Sequence, residues 1–261
     1  MLLTSTIIIL REVLEGAIFV SVLLALSSHY GLRMIWAWLA LLIGFAGAYM
    51  YASKLDTIST WFDYTGQEIM NASIQITIVL LLTVFVLLYR RPDSRLVKPI
   101  LAIMIVTVAL TTTIEGSEIL LYLSGFPDNS SALYSVILGG ILGAGIGVSI
   151  GALLYYLLAY FMANGVVNAA FLILALFSAG MLSHSVQILT QADWLPAQRI
   201  IWDTSSLLSE TSLLGQLLYA IMGYEATPTA NQVVAYVFGV LLILLLPRFF
   251  VKNTRPHAKS D

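Results

Sequence analysis

Five charged residues stand inside otherwise apolar stretches of the sequence, in two short groups. Arg11, Glu12 and Glu15 form the first group, and Glu115 and Glu118 form the second. The two glutamates of each group are three positions apart, so both carboxylates of a group fall on one face of a helix. An ionised side chain at the centre of a bilayer costs at least ~2.5–3.5 kcal/mol, so such residues need a functional explanation.

Four carboxylates that meet at one point would suit a hard metal cation such as an iron, manganese, magnesium or calcium ion. Because like charges are crowded, at least one carboxyl is expected to hold a proton, and proton exchange could accompany metal binding. Two other interpretations stay open: Arg11 with Glu15 could be only a buried ion pair, and paired carboxylates also serve acid–base catalysis. We favour a cation site, because no nucleophile, cofactor signature or histidine cluster accompanies the glutamates.

The composition indicates that lipid surrounds most of the chain. Of the 261 residues, 59% are hydrophobic and 10% are charged, and the mean hydropathy is +0.93, whereas soluble domains are roughly 45–50% apolar and about 25% charged. The net charge of −2 and the lack of a basic face argue against nucleic-acid binding. The chain has no cysteine, which excludes disulfides, thiolate metal sites, iron–sulfur clusters and a cysteine nucleophile.

The sequence predicts an all-α integral membrane protein with seven transmembrane helices. A spanning helix needs about 20 mostly apolar residues. Seven stretches meet this requirement: 4–26, 34–52, 69–89, 98–123, 133–161, 166–189 and 233–250. We expect one domain over residues 1–251, which includes a segment at the outer interface (190–232), and a short basic cytoplasmic tail (252–261).

The loop charges predict the orientation of these helices. If the N-terminus is outside, nine lysines and arginines lie in inner segments and two in outer ones, a strong positive-inside bias that favours N-out and C-in. The two glutamate groups then lie at similar depth on antiparallel helices. Helices 1–3 and 4–6 have opposite orientations, which predicts a 3+3 inverted repeat plus a seventh helix, with the ion site where the repeats meet.

The first-helix motif resembles that of a known transporter family. Residues 11–15 read R-E-x-x-E, as in the oxidase-dependent iron permeases, whose bacterial branch is the EfeU-type ferrous iron permease. Residues 171–196 resemble that family's sixth helix and the turn after it, and residues 202–236 resemble the stretch before its last helix. The resemblance implies a seven-helix permease that imports iron across the bacterial cytoplasmic (inner) membrane.

By the same resemblance, Glu12, Glu15, Glu115 and Glu118 would be the metal-binding carboxylates of translocation, and Arg11 would be the arginine of the motif. Iron (Fe2+ or Fe3+) would be the substrate, no prosthetic group is expected, and the protein would not be an enzyme. The implied partner is an extracytoplasmic oxidase or iron-binding protein, besides membrane lipid, and the chain could form a homo-oligomer.

The second motif departs from the family pattern at one position. The family has R-E-x-x-E there as well, but this chain has Ile114 in place of the arginine. The site is therefore more anionic, which could change its metal preference, its oxidation-state preference or its proton coupling. Two alternatives remain: a permease for another divalent cation such as lead or manganese, and a non-transport membrane-complex subunit or enzyme with structural ion pairs.

Four further polar residues are weaker candidates for metal ligands. His184 could be a structural hydrogen-bonding group, or a proton relay or metal ligand. Glu68 could form an entry site or simply begin a solvated helix. Asp203 and Glu210 could receive metal from a partner or be ordinary solvated residues.

Two local patterns predict packing rather than chemistry. Glycines recur every fourth position at Gly139, Gly143, Gly147 and Gly151, which favours a seam along which another helix approaches closely. The stretch 207–222 is amphipathic and precedes Gly223, which predicts a helix on the membrane surface with a glycine C-cap.

Overall fold

The architecture is entirely helical, as the sequence predicts. The structure, a computed structural model, describes residues 1–91, 94–126 and 130–247. Within these ranges the β-type pairing consists of one isolated bridge between Ile200 and Thr229. The helices are α1 (Leu2–His29), α2 (Ile35–Ser53), α3 (Leu55–Ser59), α4 (Gly66–Tyr89), α5 (Val97–Ser124), α6 (Ser130–Ala163), α7 (Asn168–Gln191), α8 (Leu213–Met222) and α9 (Ala230–Leu244), with a short 3-10 turn at Ser94–Leu96.

Five of these helices are long and apolar enough to cross a membrane: α2, α4, α5, α6 and α7. The protein is therefore a multi-pass membrane protein. Helix α1 has 28 residues and also has sufficient length, but it carries the Arg11 group of charges. Helix α9 has 15 described residues. The end of the predicted stretch 233–250 and the predicted tail 252–261 lie outside the described residues.

Large apolar side chains cover the outside of the bundle, as expected for contact with lipid. On α2, Trp38 is 69% exposed and Tyr49 is 70% exposed. On α6, Leu153 is 69% exposed and Tyr156 is 70% exposed. An apolar surface of this extent is rare on soluble monomers. The interior, in contrast, holds fully buried side chains such as Phe85 on α4.

The predicted glycine seam is confirmed, and its partner is α1. A Cβ atom at Gly143 would collide with the backbone of Thr6 and Leu10, and one at Gly151 would collide with Ala17. The two backbones are close enough for Ser21 Oγ of α1 to donate to the Gly151 carbonyl at 2.7 Å. This seam fixes the position of α1, the helix that carries Glu12 and Glu15, against α6.

A second seam of small residues joins α2 to α5. A Cβ atom at Gly44 would lie 2.5 Å from Thr112 Cβ, and one at Gly116 would lie 2.9 Å from Ala48 Cβ. The Thr113 hydroxyl lies 3.3 Å from the Gly44 carbonyl oxygen, across the same contact. Helix α5, which carries Glu115 and Glu118, is thus held by α2 as α1 is held by α6.

Helix α8 begins at Leu213, later than the stretch 207–222 predicts. Residues 205–212 form turns instead, and Ser212 is the N-cap, whose hydroxyl accepts from the Gly215 N–H at 3.1 Å. The predicted C-cap is confirmed, since Gly223 has the left-handed conformation (φ 64°, ψ 38°). The helix packs against α1 and α7, and Ala220 is buried with Leu14 and Ile18 of α1.

Candidate metal site

The four glutamates come together in the interior of the bundle. Glu12 and Glu115 are 5% and 8% exposed, and Glu15 and Glu118 are partly buried. The Glu12 carboxyl lies within hydrogen-bonding range of the carboxyls of both Glu115 and Glu118. The side chains of the α1 and α5 groups therefore point toward one another and not toward lipid.

This cluster is close-packed but is not a finished coordination sphere. Among the described residues, no group of three or more histidine or carboxylate side chains is already placed around a common metal position. The Glu12 carboxyl nevertheless faces the carboxyls of Glu115 and Glu118, so carboxyl oxygens from both helices lie near one another.

Among the described residues, Arg11 is the basic side chain that forms ion pairs with the cluster. Its Nε lies 3.3 Å from Glu15 Oε1 and 3.8 Å from Glu12 Oε1. The other side of the guanidinium lies over the ring of Tyr219 in α8, with Cζ 4.7 Å from the ring centroid. The ion pair that the sequence suggested therefore exists, and its contacts within 4 Å are with Glu12 and Glu15 of its own helix.

A small cavity opens directly beside the glutamates. Its volume is about 20 Å³, which is enough for one water molecule or a dehydrated ion. Its polar lining consists of Glu15, Glu115, Gln75, His184 and Tyr219. We call it the inner cavity.

A larger cavity of about 290 Å³ lies next to it, between α8 and the end of α7. We call it the wide cavity. It shares His184 and Tyr219 with the inner cavity, and its lining is otherwise polar or charged: Arg11, Gln187, Glu210, Thr211, Gln216 and Glu225. The two cavities are therefore neighbours that share His184 and Tyr219 as a common wall.

The predicted weaker candidates separate into two groups in the structure. His184 and Glu210 line the wide cavity, and His184 also lines the inner one. Glu68 and Asp203 line neither cavity. Asp203 is exposed, and hydrogen bonds from the Ser205 hydroxyl and N–H hold the pKa of its carboxyl below the usual value.

Glu68 lies instead in the first turn of α4, three positions before Asn71. Asn71 forms a hydrogen bond with Tyr51 of α2, whose hydroxyl donates to Asn71 Oδ1 at 2.7 Å. Tyr51 and Asn71 are buried, whereas Glu68 is partly exposed and lines neither of the two cavities.

Several lining residues could not be found from local sequence patterns. Tyr219 lies in a stretch that the sequence marked only as amphipathic, and Gln75 is one polar residue in an apolar helix. Glu225 accepts hydrogen bonds from Gln187 at 2.9 Å and from Gln232. Burial raises the pKa of the Glu225 carboxyl, although the Gln232 hydrogen bond opposes the shift. The sequence shows Glu225 as an acidic residue outside the apolar stretches, but it does not indicate the contact of Glu225 with Gln187 of α7.

Ile114, which stands in place of the family's second arginine, is an apolar core residue. Its side chain is 1% exposed and packs in the main hydrophobic cluster. Ile114 therefore contributes to hydrophobic packing, and it supplies no positive charge to the α5 carboxylates.

Glycines 180 and 223 set the distance between α8 and α7 at the inner cavity, which both residues line. A Cβ atom on Gly180 would lie 2.8 Å from Gly223 Cα. We expect Gly180→Ala to displace α8 and lower metal uptake several-fold in reconstituted vesicles. Gly145→Ala is the control, because no atom lies within 4 Å of the added Cβ there. Uptake by Gly180→Ala at the rate of that control would contradict the importance of this contact.

Comparison with known proteins adds one finding. The model of the iron permease FTR1 family matches residues 2–257, which is nearly the whole chain. No curated protein and no solved structure matches the chain.

Proposed function

Since the chain belongs to the iron permease FTR1 family, whose members are iron transporters, we propose that it imports iron through the four-glutamate site between α1 and α5. The observation that carries this proposal is the convergence of Glu12, Glu15, Glu115 and Glu118 beside a cavity of about 20 Å³, which is large enough for one small ion. Anionic side chains that face each other inside a membrane protein mark an ion pathway.

The proposal includes α1 and α9 as spans, which gives seven in total. Four helices of the bundle pack in matching pairs, since α1 packs on α6 and α2 packs on α5, each through small residues. A repeat that relates α1, α2 and α4 to α5, α6 and α7 would exchange these two seams. The packing therefore supports a 3+3 inverted repeat, with the glutamates of α1 and α5 at its centre.

We assign the α8 end of the bundle to the extracytoplasmic side, as the positive-inside rule requires. The cation would enter the wide cavity past Glu210 and Glu225, pass His184 and Tyr219, and reach Glu15 and Glu115 in the inner cavity. A bacterial inner membrane location, membership of the EfeU-type branch, and delivery by an extracytoplasmic oxidase or iron-binding protein are parts of the same proposal.

Metal uptake by vesicles that contain the purified chain tests the function. We expect uptake of iron under reducing or oxidising conditions, and the preferred condition identifies the oxidation state. Manganese and lead ions in the same assay test the alternative substrates. Vesicles that take up none of these metals would contradict the proposal. A chain whose glutamate-to-glutamine variants keep full uptake and lose only stability would instead be a protein with structural ion pairs.

A further inference from the structure

His184 occupies the passage between the two cavities. Its side chain lines both the wide cavity and the inner cavity, a property that it shares only with Tyr219 among the residues lining the two. The His184 and Tyr219 rings stand nearly perpendicular, with centroids 6.0 Å apart. The imidazole therefore borders both cavities, and an ion that moved from one to the other would come close to it.

One nitrogen of the imidazole is held by a polar chain inside the bundle. His184 Nδ1 lies 3.0 Å from the Gln75 side-chain amide, and the Gln75 amide lies 3.0 Å from the Ser185 hydroxyl. The Ser185 hydroxyl also lies 2.8 Å from the Met181 carbonyl oxygen. As placed, Gln75 Nε2 faces Nδ1, and the Ser185 hydroxyl donates to Gln75 Oε1. Turning the Gln75 amide by 180° keeps both contacts with the donors exchanged: Nδ1–H donates to Oε1, Nε2 of Gln75 donates to the Ser185 hydroxyl, and that hydroxyl donates to the Met181 carbonyl. In this amide orientation Nε2 of the imidazole carries a lone pair, and the proposal below requires it.

We propose that His184 Nε2 is a metal ligand through which the cation passes from the wide cavity to the glutamates, and that this nitrogen selects divalent transition-metal ions over Mg2+ and Ca2+. The inference rests on the proposed transport function and specifies which cations the pathway accepts. Imidazole binds iron and its neighbours in the transition series well, whereas Mg2+ and Ca2+ prefer oxygen ligands. A hydrogen bond that holds the second ring nitrogen is the usual support of a histidine ligand.

The difference in volume between the wide and inner cavities explains why a ligand is needed at His184. An ion that leaves the cavity of about 290 Å³ for one of about 20 Å³ must lose most of its water. His184 is placed where a lost water ligand has to be replaced. Mg2+ loses its water ligands reluctantly and prefers oxygen to nitrogen ligands. A site that replaces water with an imidazole nitrogen therefore disfavours Mg2+ for both reasons.

An unsatisfied oxygen in the wide cavity also points to a ligand there. Gln216 Oε1 is buried and, among the described residues, has no hydrogen-bond partner. Gln216 lines the wide cavity together with His184 and Glu225. A buried acceptor without a partner is unusual in a folded protein, and a cation or one of its water ligands would satisfy it.

The first test measures nitrogen coordination without transport. The chain has two other histidines, His29 and His257, so the double variant His29→Gln/His257→Gln leaves His184 as its one imidazole. With Cu2+ as the probe, we expect pulsed electron paramagnetic resonance of this variant to show the modulation of the remote imidazole nitrogen. The further change His184→Gln should remove that signal. A signal that is absent before this change, or that persists after it, would overturn the inference.

The second test measures selectivity in vesicles that contain the full chain. We expect excess Ca2+ or Mg2+ to inhibit Fe2+ uptake by His184→Gln at about tenfold lower concentrations than are needed for the unchanged chain. His184→Asn serves as a second variant, and melting temperatures confirm that each variant is folded. Unchanged competition in a folded, active variant would overturn the inference. Failure of the unchanged chain to take up iron would instead contradict the proposed function, because the nitrogen signal does not depend on transport.

Discussion

Replacing Glu12 with glutamine is expected to lower iron uptake at least tenfold while leaving the protein folded. Glu12 is the carboxyl within hydrogen-bonding range of both α5 glutamates, so this change removes a negative charge and one oxygen from the side chain that faces both. Loss of a residue that supports a metal site costs about 10–100-fold in affinity or activity. Glutamine keeps the shape and can still form hydrogen bonds to its neighbours. Glu115→Gln should behave in the same way.

The measurement is radiolabelled iron uptake by vesicles together with the melting temperature of the same preparation. Asp56→Asn is the matched control, because Asp56 is exposed and lies outside both cavities. If the glutamates were only structural, breaking a buried ion pair would cost about 3–5 kcal/mol of folding stability. A large loss of stability in Glu15→Gln with uptake unchanged per folded molecule would therefore refute the transport role of these residues.

The glycine seam between α1 and α6 gives the second large effect. We expect Gly143→Leu to destabilise the fold by ~3 kcal/mol, because even the first added carbon would collide with the backbone of Thr6 and Leu10. The helices would have to separate, and α1 would carry Glu12 and Glu15 away from α5. Iron uptake should fall together with stability.

Gly145→Leu is the matched control for this prediction. Gly145 lies two positions further along α6, and no atom lies within 4 Å of a Cβ added there. Its side chain would enter the exposed apolar groove formed by residues such as Ile141 and Ile146. Resistance to denaturant should separate the two variants. If they were equally stable, the close contact between α1 and α6 would not be needed.

Most of the helical framework could be predicted from the sequence, because long apolar stretches leave a chain in lipid little alternative to a helix. Each of the seven predicted stretches lies largely within an observed helix, as far as the described residues extend. The sequence predicts similar depths for Glu12 and Glu115, and both are buried side chains that face each other; metal binding by the four glutamates stays a prediction. Five of the helices satisfy the length and composition required for a membrane span. Helices α1 and α9 are spans only under the proposed function.

The contribution of α8 could not be predicted in the same way. Its position depends on contacts with distant parts of the chain, such as Gly180 against Gly223 and Tyr219 against Arg11. Hydrophobic periodicity identifies an apolar face but not the surface on which it packs. The sequence also does not single out Gln75, because its partner His184 lies 109 positions away.

The two contacts of Arg11 place its side chain between the proposed ion site and helix α8. Its guanidinium is bound to Glu15 on one side and to the Tyr219 ring of α8 on the other. Under the proposed function, a cation that binds Glu15 would compete with this guanidinium, and a displaced guanidinium would no longer contact Tyr219. Occupation of the glutamates would then weaken the contact between α1 and α8, and departure of the ion would restore it.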